Sequence, residues 1–315
     1  MLKILLSLIT CLFLPNIHSG NDLRMIEWKG DDGGLFSNLT RVVEWIYCVK
    51  HDESYGLHIN MSDAYGYTCN VFPLLFKEFE DPQIFLKPNG LPTFLRVVSY
   101  PGGFAGFSTY PTNGMTHYHH LKFVYMNRAL YDDPDFSLFR HRLYPFIARY
   151  IQPVPELQEK IDTICKKLNG PSYKPNLKIG IHVRYMQHYQ NCDKGPDAFL
   201  NDVERDIDEI MASKDPKTTQ IFLATLLQPL VDRLKTKYNI VICDIPRAQD
   251  VVTDWNLIPQ EDPLDMARDV IVDTWCLAHC DEVWGSSSNM IVFIGCLNPH
   301  VKIYMLPSLK NYNGA

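Results

Sequence analysis

The 315-residue chain lacks most of the short motifs that identify an activity on sight. No GxxxxGK[ST] loop is present and no GxGxxG turn follows a strand, which disfavours P-loop nucleotide hydrolysis and nicotinamide or flavin chemistry. HExxH and GxSxG are absent, and with them the zincin and nucleophile-elbow sites. No cysteines are spaced as CxxC, so a structural zinc site is not expected. There is no internal repeat and no low-complexity tract. Charge of either sign is modest: 30 Lys and Arg against 36 Asp and Glu, a net −6. That balance excludes a general affinity for nucleic acid or anionic membranes and leaves room for a local basic pocket. Beyond the N-terminus no run approaches the roughly 20 consecutive apolar residues of a membrane-spanning helix.

The first residues, "MLKILLSLITCLFLPNIHSG", combine one lysine, an apolar run from Ile4 to Leu14 and a small or polar stretch to Gly20. This is the layout of a secretory signal (1–19) cleaved after Ser19, and it predicts a chain of the secretory pathway. A buried first strand or a short anchor are the alternatives. Nine cysteines are present, and loss of Cys11 with the signal leaves eight, a number that permits disulfides. Cys276, Cys280 and Cys296 sit in apolar helical stretches and read equally well as core thiols. "NLT" at Asn38 and "NMS" at Asn60 are glycosylation acceptors if the chain passes through a eukaryotic secretory pathway.

Hydrophobic periodicity organises the second half. "NLKIGIHVR" (176–184), "TQIFLAT" (219–225), "NIVICD" (239–244), "DEVWG" and "VKIYML" (301–306) read as strands. Between them, "LLQPLVDRLKTKY", "PLDMARDVIVDTWCLAHC" (263–280) and "NMIVFIGCL" read as helices. Alternation of this kind predicts a parallel sheet with helices on both faces. The first half opens the same way, with "RMIEWK" as strand and Leu39, Val42, Val43, Ile46 and Tyr47 as a helical stripe. Residues 81–120, rich in Pro, Gly, Tyr and Phe, read as loops. Residues 135–168 are helical with a break at Pro153 and Pro155. "NGPSYKP" near 170 divides a 20–170 domain from a 171–315 domain.

Candidate chemistry lies where strands end. In "IGIHVR" the two-residue period puts Ile179, Ile181 and Val183 on one face and Gly180, His182 and Arg184 on the other. Ligands of open parallel sheets bind beyond the carboxyl ends of the strands. An arginine there can meet a phosphate with paired donors, or else bridge to a neighbouring domain. In "WGSSSNMIVFIGCL", Ser286, Ser287 or Ser288 can cap a helix whose positive end suits an anion. "GDDGGLFSNL" (30–39) is a third strand-to-helix turn, with glycines that let a ligand approach. "DPD" (133–135) and "DID" (206–208) match a metal motif of some sugar transferases, but neither follows a strand, and they read as a turn and a solvated helix face. "HYHH" (117–120) reads as packing or stacking histidines; no metal is expected.

These stretches resemble the GDP-fucose-dependent fucosyltransferase clan, which includes the α-1,6-fucosyltransferases, the nodulation fucosyltransferases and the protein O-fucosyltransferases. "IGIHVRYMQ" is similar to the clan's first motif, a strand ending in HxR. "IFLATLLQPLVDRLKTKY" is similar to the second, a strand ending in an LAT-type turn and then a helix. "PLDMARDVIVDTWCLAHCDEVWGSSSN" is similar to the third, and "GGLFSN" resembles the glycine-rich turn of the O-fucosyltransferases. The likeness covers 176–306 well and 25–50 loosely. It implies an α/β GT-B-like fold, two Rossmann-like domains facing a cleft, with the nucleotide sugar held by the second. The activity it implies is that of an inverting glycosyltransferase using GDP-fucose, with a glycan or glycoprotein acceptor and no cofactor.

The resemblance also assigns roles. Arg184 meets the β-phosphate with His182 beside it, and Ser287, Ser288 and Asn289 hold the diphosphate. Asp273 and Arg268 fall at the third motif's acidic and basic positions, and Phe36 and Asn38 at the first turn. Asp193 is the candidate to accept the acceptor's proton, with Asp197 as alternative. The second arginine of the usual HxRR is Tyr185 here, and the acidic pair after "LAT" is Leu226 and Leu227. These departures keep two other readings open: a secreted carbohydrate-binding or inactive relative, and a transferase using another nucleotide sugar. The lumen of the Golgi or ER is the location a signal peptide would imply; the cytoplasm is the alternative if residues 1–19 are not a signal.

Overall fold

A computed structural model describes residues 24–29, 34–51, 53, 55–62, 67–86, 94–99, 132–169, 177–184, 196–250, 262, 264–286 and 288–311. The signal segment 1–19, the "HYHH" histidines and the "NGPSYKP" stretch lie outside these residues.

The first sheet is built from β1 (Arg24–Lys29), β2 (Tyr55–Asn60), β3 (Ile84–Phe85) and β4 (Phe94–Ser99) in the order β3-β2-β1-β4. All its pairings are parallel. β3 and β4 fall inside the stretch expected to be loops. The Val- and Phe-bearing segment "FLRVVS" is masked in the sequence by the proline and glycine before it, yet it pairs with β1 along its length. Helix α1 (Leu35–Lys50) follows β1 and buries the stripe Leu39, Val42, Val43 and Ile46 completely. A short turn of helix, α2 (Phe72–Leu75), comes between β2 and β3. Next come α3 (Pro134–Tyr150) and α4 (Pro155–Asn169). Each opens on a proline, whose missing N–H costs nothing at a helix's first position. Asp133, part of the "DPD" turn, caps α3 by accepting from the Phe136 N–H at 2.9 Å.

The second sheet contains β5 (Leu177–Val183), β6 (Thr219–Thr225), β7 (Ile240–Val241), β8 (Glu282–Gly285) and β9 (Lys302–Met305) in the order β7-β6-β5-β8-β9, again all parallel. The crossovers carry α5 (Pro196–Ala212), α6 (Gln228–Lys235), α7 (Asp265–Ala278) and α8 (Asn289–Leu297). The strand expected over 239–244 is only two residues long, because β7 is the edge and pairs on one side alone. In the "DID" stretch Asp206 is buried, not solvated: its carboxylate accepts from the Ser308 N–H at 2.6 Å and ties α5 to the chain after β9.

Ile179, Ile181 and Val183 pack with α5 and α6 on one face of the second sheet. The opposite face joins one core continuous with the first sheet. Phe293 of α8 is its centre. Its ring lies 5.0 Å from Phe36 of α1 and 5.9 Å from Trp275 of α7, and Trp275 in turn lies 6.3 Å from Phe76. Fully burying one such ring stabilises by about 1.5–3 kcal/mol. Arg140 of α3 adds a polar tie, donating to the Val301 carbonyl at 2.9 Å. α4 packs on α7, so the helix before β5 covers the second sheet.

Candidate donor site

Strand order fixes where a ligand can enter. In the order β7-β6-β5-β8-β9 the chain winds one way from β5 and the other way from β8. The crossovers diverge there and leave a crevice beyond the two carboxyl ends. The parallel register sets His182 opposite Gly285, so Arg184 and Ser286 leave the sheet side by side at that crevice.

Gly285 is needed for this closeness. A Cβ on it would sit 2.7 Å from Ile291 Cδ1, 3.2 Å from the His182 carbonyl oxygen and 3.3 Å from His182 Cβ. Ser288 then caps α8, its Oγ accepting from the Ile291 N–H at 3.3 Å. α8 carries no charged side chain, so its first-turn amides and dipole add their positive end to the charge of Arg184 at the crevice.

The polar atoms gathered here are unusually poorly matched. His182 Nδ1, Ser286 Oγ and Asn289 Oδ1 are buried and have no hydrogen-bond partner among the described residues. Each such atom costs about 1–3 kcal/mol unless something binds it. Burial first, then the charge of Arg184, hold the His182 imidazole down to about 3, so it is neutral at physiological pH. Arg184 is exposed at the end of β5. The crevice therefore offers one guanidinium, a neutral imidazole, hydroxyl and amide groups, and a helix start. That combination suits an anion bearing several oxygens.

From the first sheet, α1 begins at Gly34 beyond β1 and brings Phe36 and Asn38 against α8; both are buried. A glycan on Asn38 is incompatible with this packing. Asn60 is also engaged, donating to Glu27 at 3.0 Å and accepting from the Ser62 N–H at 3.0 Å.

Asp273 lies deeper, on α7. Burial pushes its carboxyl up to about 7, opposed by a contact from Cys243 and the charge of Arg247, and its Oδ1 has no partner among the described residues. Arg247 was not legible as a site residue. It gathers the carbonyls of Cys243, Ile245 and Thr225 at 2.6, 3.1 and 3.2 Å and fixes the loop beyond β6 and β7.

Arg268 lies in the first turn of α7 and is held by two carboxylates. It pairs with Asp262 at 2.7 Å and Asp265 at 2.9 Å, and Tyr67 from the first half donates to Asp262 as well. The Leu264 N–H, then Tyr67 and Arg268, hold Asp262 at about 2. Arg268 thus serves a bridge between the halves. Leu226 and Leu227 pack as apolar residues, Leu227 buried, and their turn is clamped by backbone bonds to Ala248. Asp197 is exposed and faces Arg233 at 3.7 Å. Asp193, Tyr185 and Ser287 lie outside the described residues.

Two doubly wound parallel sheets, joined through α1, α3 and α8 and each presenting strand ends beside a helix start, make this an α/β chain of the GT-B fold. It matches a crystal structure of fucosyltransferase NodZ from Bradyrhizobium with a TM-score of 0.53 at 16% identity, over 89% of this chain and 94% of that one. A structure of NodZ alpha-1,6-fucosyltransferase soaked with GDP-fucose matches with a TM-score of 0.56 at 17% identity, over 88% and 93%. The same enzyme co-crystallized with GDP matches at 0.53 and 15%, over 89% and 93%. No protein-family model matches the chain, and no curated protein sequence does. At such identities the likeness is one of fold.

Proposed function

We propose that this chain is an inverting glycosyltransferase that moves fucose from GDP-fucose to a hydroxyl of a glycan or glycoprotein, without a metal. The observation that carries this is the convergence of Arg184, three unpartnered buried polar atoms and the capped start of α8 at one crevice. The fold shared with NodZ, whose crystals were soaked with GDP-fucose or co-crystallized with GDP, supports a nucleotide sugar as the anion.

Transfer from a nucleotide sugar needs little covalent help. The anomeric carbon gains positive character as the bond to the β-phosphate oxygen breaks, and charge collects on the departing diphosphate. Arg184 and the α8 amides stabilise that charge; deletion of one such donor in other enzymes costs about 2.7–4 kcal/mol of barrier. Neutral His182 can donate a hydrogen bond to a phosphate oxygen without giving up a proton. The acceptor oxygen attacks from the far side, which inverts the centre, and Asp193, ten residues after the end of β5 in sequence, takes its proton. The signal-like layout of residues 1–19 supports the lumen of the secretory pathway as the location.

The test is a nucleotide panel. GDP at one hundred times its Kd should stabilise the folded chain by about 2.7 kcal/mol, and UDP and ADP should not. GDP release from GDP-fucose should then follow on addition of acceptor. Binding of GDP without turnover would favour an inactive relative, a reading that the apolar packing of Leu226 and Leu227 supports. Stabilisation by another nucleotide alone would overturn the choice of donor.

A further inference from the structure

The first sheet carries a polar group that the donor site leaves unused. In the order β3-β2-β1-β4 the chain winds one way from β1 to β3 and then sets β4 on the other side of β1. A second switch point therefore lies beyond the carboxyl ends of β1 and β4. The parallel register pairs Glu27 with His58, and Asn60 follows two residues later on the same face of β2. Ile26, Trp28, Leu57 and Ile59, of the opposite parity, belong to the apolar core. Asn60 Nδ2 donates to Glu27 Oε1 at 3.0 Å, and His58 Nδ1 lies 3.2 Å from the same oxygen. Asn60 is itself fixed, its Oδ1 accepting from the Ser62 N–H at 3.0 Å.

Both contacts fall on one oxygen. Oε2 of Glu27 has no hydrogen-bond partner among the described residues, and the side chain keeps 17% of its surface open. Burial holds the His58 imidazole below its ordinary value, against the pull of Glu27, so the carboxylate has a neutral neighbour there and not a cation. A carboxylate serving only to tie β1 to β2 needs no such opening, and an apolar pair in register would tie them at a smaller desolvation cost. One oxygen anchored and the other presented near a strand end suits a neutral group rich in O–H donors, because a hydrogen bond to an ionised acceptor is roughly twice as strong as a neutral one. The place fits as well. The turn after β1 leads to Phe36 of α1, whose ring lies 5.0 Å from Phe293 of α8, the helix that opens the donor crevice.

We propose that Glu27, held through Oε1 by Asn60 and His58, is an acceptor-binding carboxylate whose Oε2 accepts a hydrogen bond from a hydroxyl of the acceptor's sugar ring at the carboxyl end of β1. The proposal rests on the glycosyltransferase reading above and adds to it a contact on the acceptor side. Glu27 binds and orients the sugar; it takes no proton, and that step stays with Asp193. Asn60 and His58 keep one carboxylate oxygen occupied, so the other stays available to the ligand.

The test uses the full chain and two kinds of probe: GDP, followed by calorimetry, and the methyl β-glycosides of glucose, galactose and N-acetylglucosamine, followed by saturation-transfer NMR with and without GDP. At least one glycoside should bind the unaltered chain. Glu27→Gln keeps the shape of the side chain and replaces the charged acceptor by a neutral one, so that glycoside should bind about tenfold more weakly, with GDP affinity and the unfolding midpoint unchanged. Loss of stability in Glu27→Gln with glycoside affinity unchanged would assign Glu27 to strand pairing alone and overturn the proposal. Failure of every glycoside to bind a chain that binds GDP would overturn it too, and needs no variant to fold. The donor reading would survive both results. Glycoside binding that depends on Glu27, in a chain that does not bind GDP, would uphold the acceptor contact and count against the donor instead.

Discussion

Gly285→Ala tests the geometry of the crevice through a single methyl group. The added Cβ would lie 2.7 Å from Ile291 Cδ1, well inside van der Waals contact, and 3.2 Å from the His182 carbonyl oxygen. Ile291 is 1% exposed and packed on every side, so its terminal methyl cannot simply swing away. The His182 carbonyl belongs to a central strand and can give by only a few tenths of an ångström. Relief must come from moving the first turn of α8 away from β5. Overpacking of this kind costs about 1–3 kcal/mol, which urea denaturation would read as a lower midpoint at unchanged m-value. Because the same movement separates Ser288 and Asn289 from His182 and Arg184, GDP affinity should fall as well, measured by calorimetry on the folded variant. Gly180→Ala is the matched control. Its Cβ would meet Leu277 Cδ2 at 2.7 Å and Val283 Cγ2 at 3.2 Å, the same crowding but three residues back from the strand's end. It should cost similar stability and leave GDP affinity within about twofold. Equal loss of affinity in both variants, or none in Gly285→Ala despite lost stability, would refute the assignment of the β5–β8 crevice.

Four further outcomes follow from the same structure. Ser288→Ala removes the cap on α8 and should cost about 1 kcal/mol in stability, with weaker GDP binding in the same sample, checked by denaturation and titration. Leu227→Ala should destabilise by about 2–5 kcal/mol without changing GDP affinity, because that side chain belongs to the core and not to the ligand; a selective loss of GDP binding would contradict this. Asp273 holds its proton in the folded chain up to about pH 7 and releases it near 3.8 when unfolded. The folded state binds the extra proton between those values, so this group's contribution is full below the lower one and lost as pH rises through 7. Asp273→Asn should remove that decline, which denaturation at stepped pH would reveal. His182 acts in the opposite sense: its depressed value makes its contribution present above about 6.5 and lost as pH falls towards 3.

The readable parts of the sequence were those where one physical rule acts alone. The face alternation of "IGIHVR" is what the sheet shows, because β5 is central and both faces are buried against different helices. Ser288 as cap was legible from a polar residue before an apolar run. β4 was not, since proline and glycine nearby outweigh a short Val-rich run until a neighbouring strand is present. Asp206 reads as a surface charge on α5 because its partner, the Ser308 N–H, comes from the far end of the chain. Arg268 occupies the expected position in its motif and pairs with Asp262 and Asp265, and Asp262 also accepts from Tyr67 of the other half, a link that local spacing does not signal. Arg247 joins its own loop to the Thr225 carbonyl at the end of β6, a link between separate segments for which local spacing carries no signal.

The most direct measurement is calorimetric titration of GDP into the unaltered chain and into Arg184→Ala. Loss of a charge-assisted bond of about 1.5–3 kcal/mol corresponds to roughly ten- to a hundred-fold weaker binding, with the variant's circular dichroism and unfolding midpoint unchanged because Arg184 is exposed. Equal GDP affinity in the two proteins, or no affinity in either, would contradict a diphosphate site between β5 and β8.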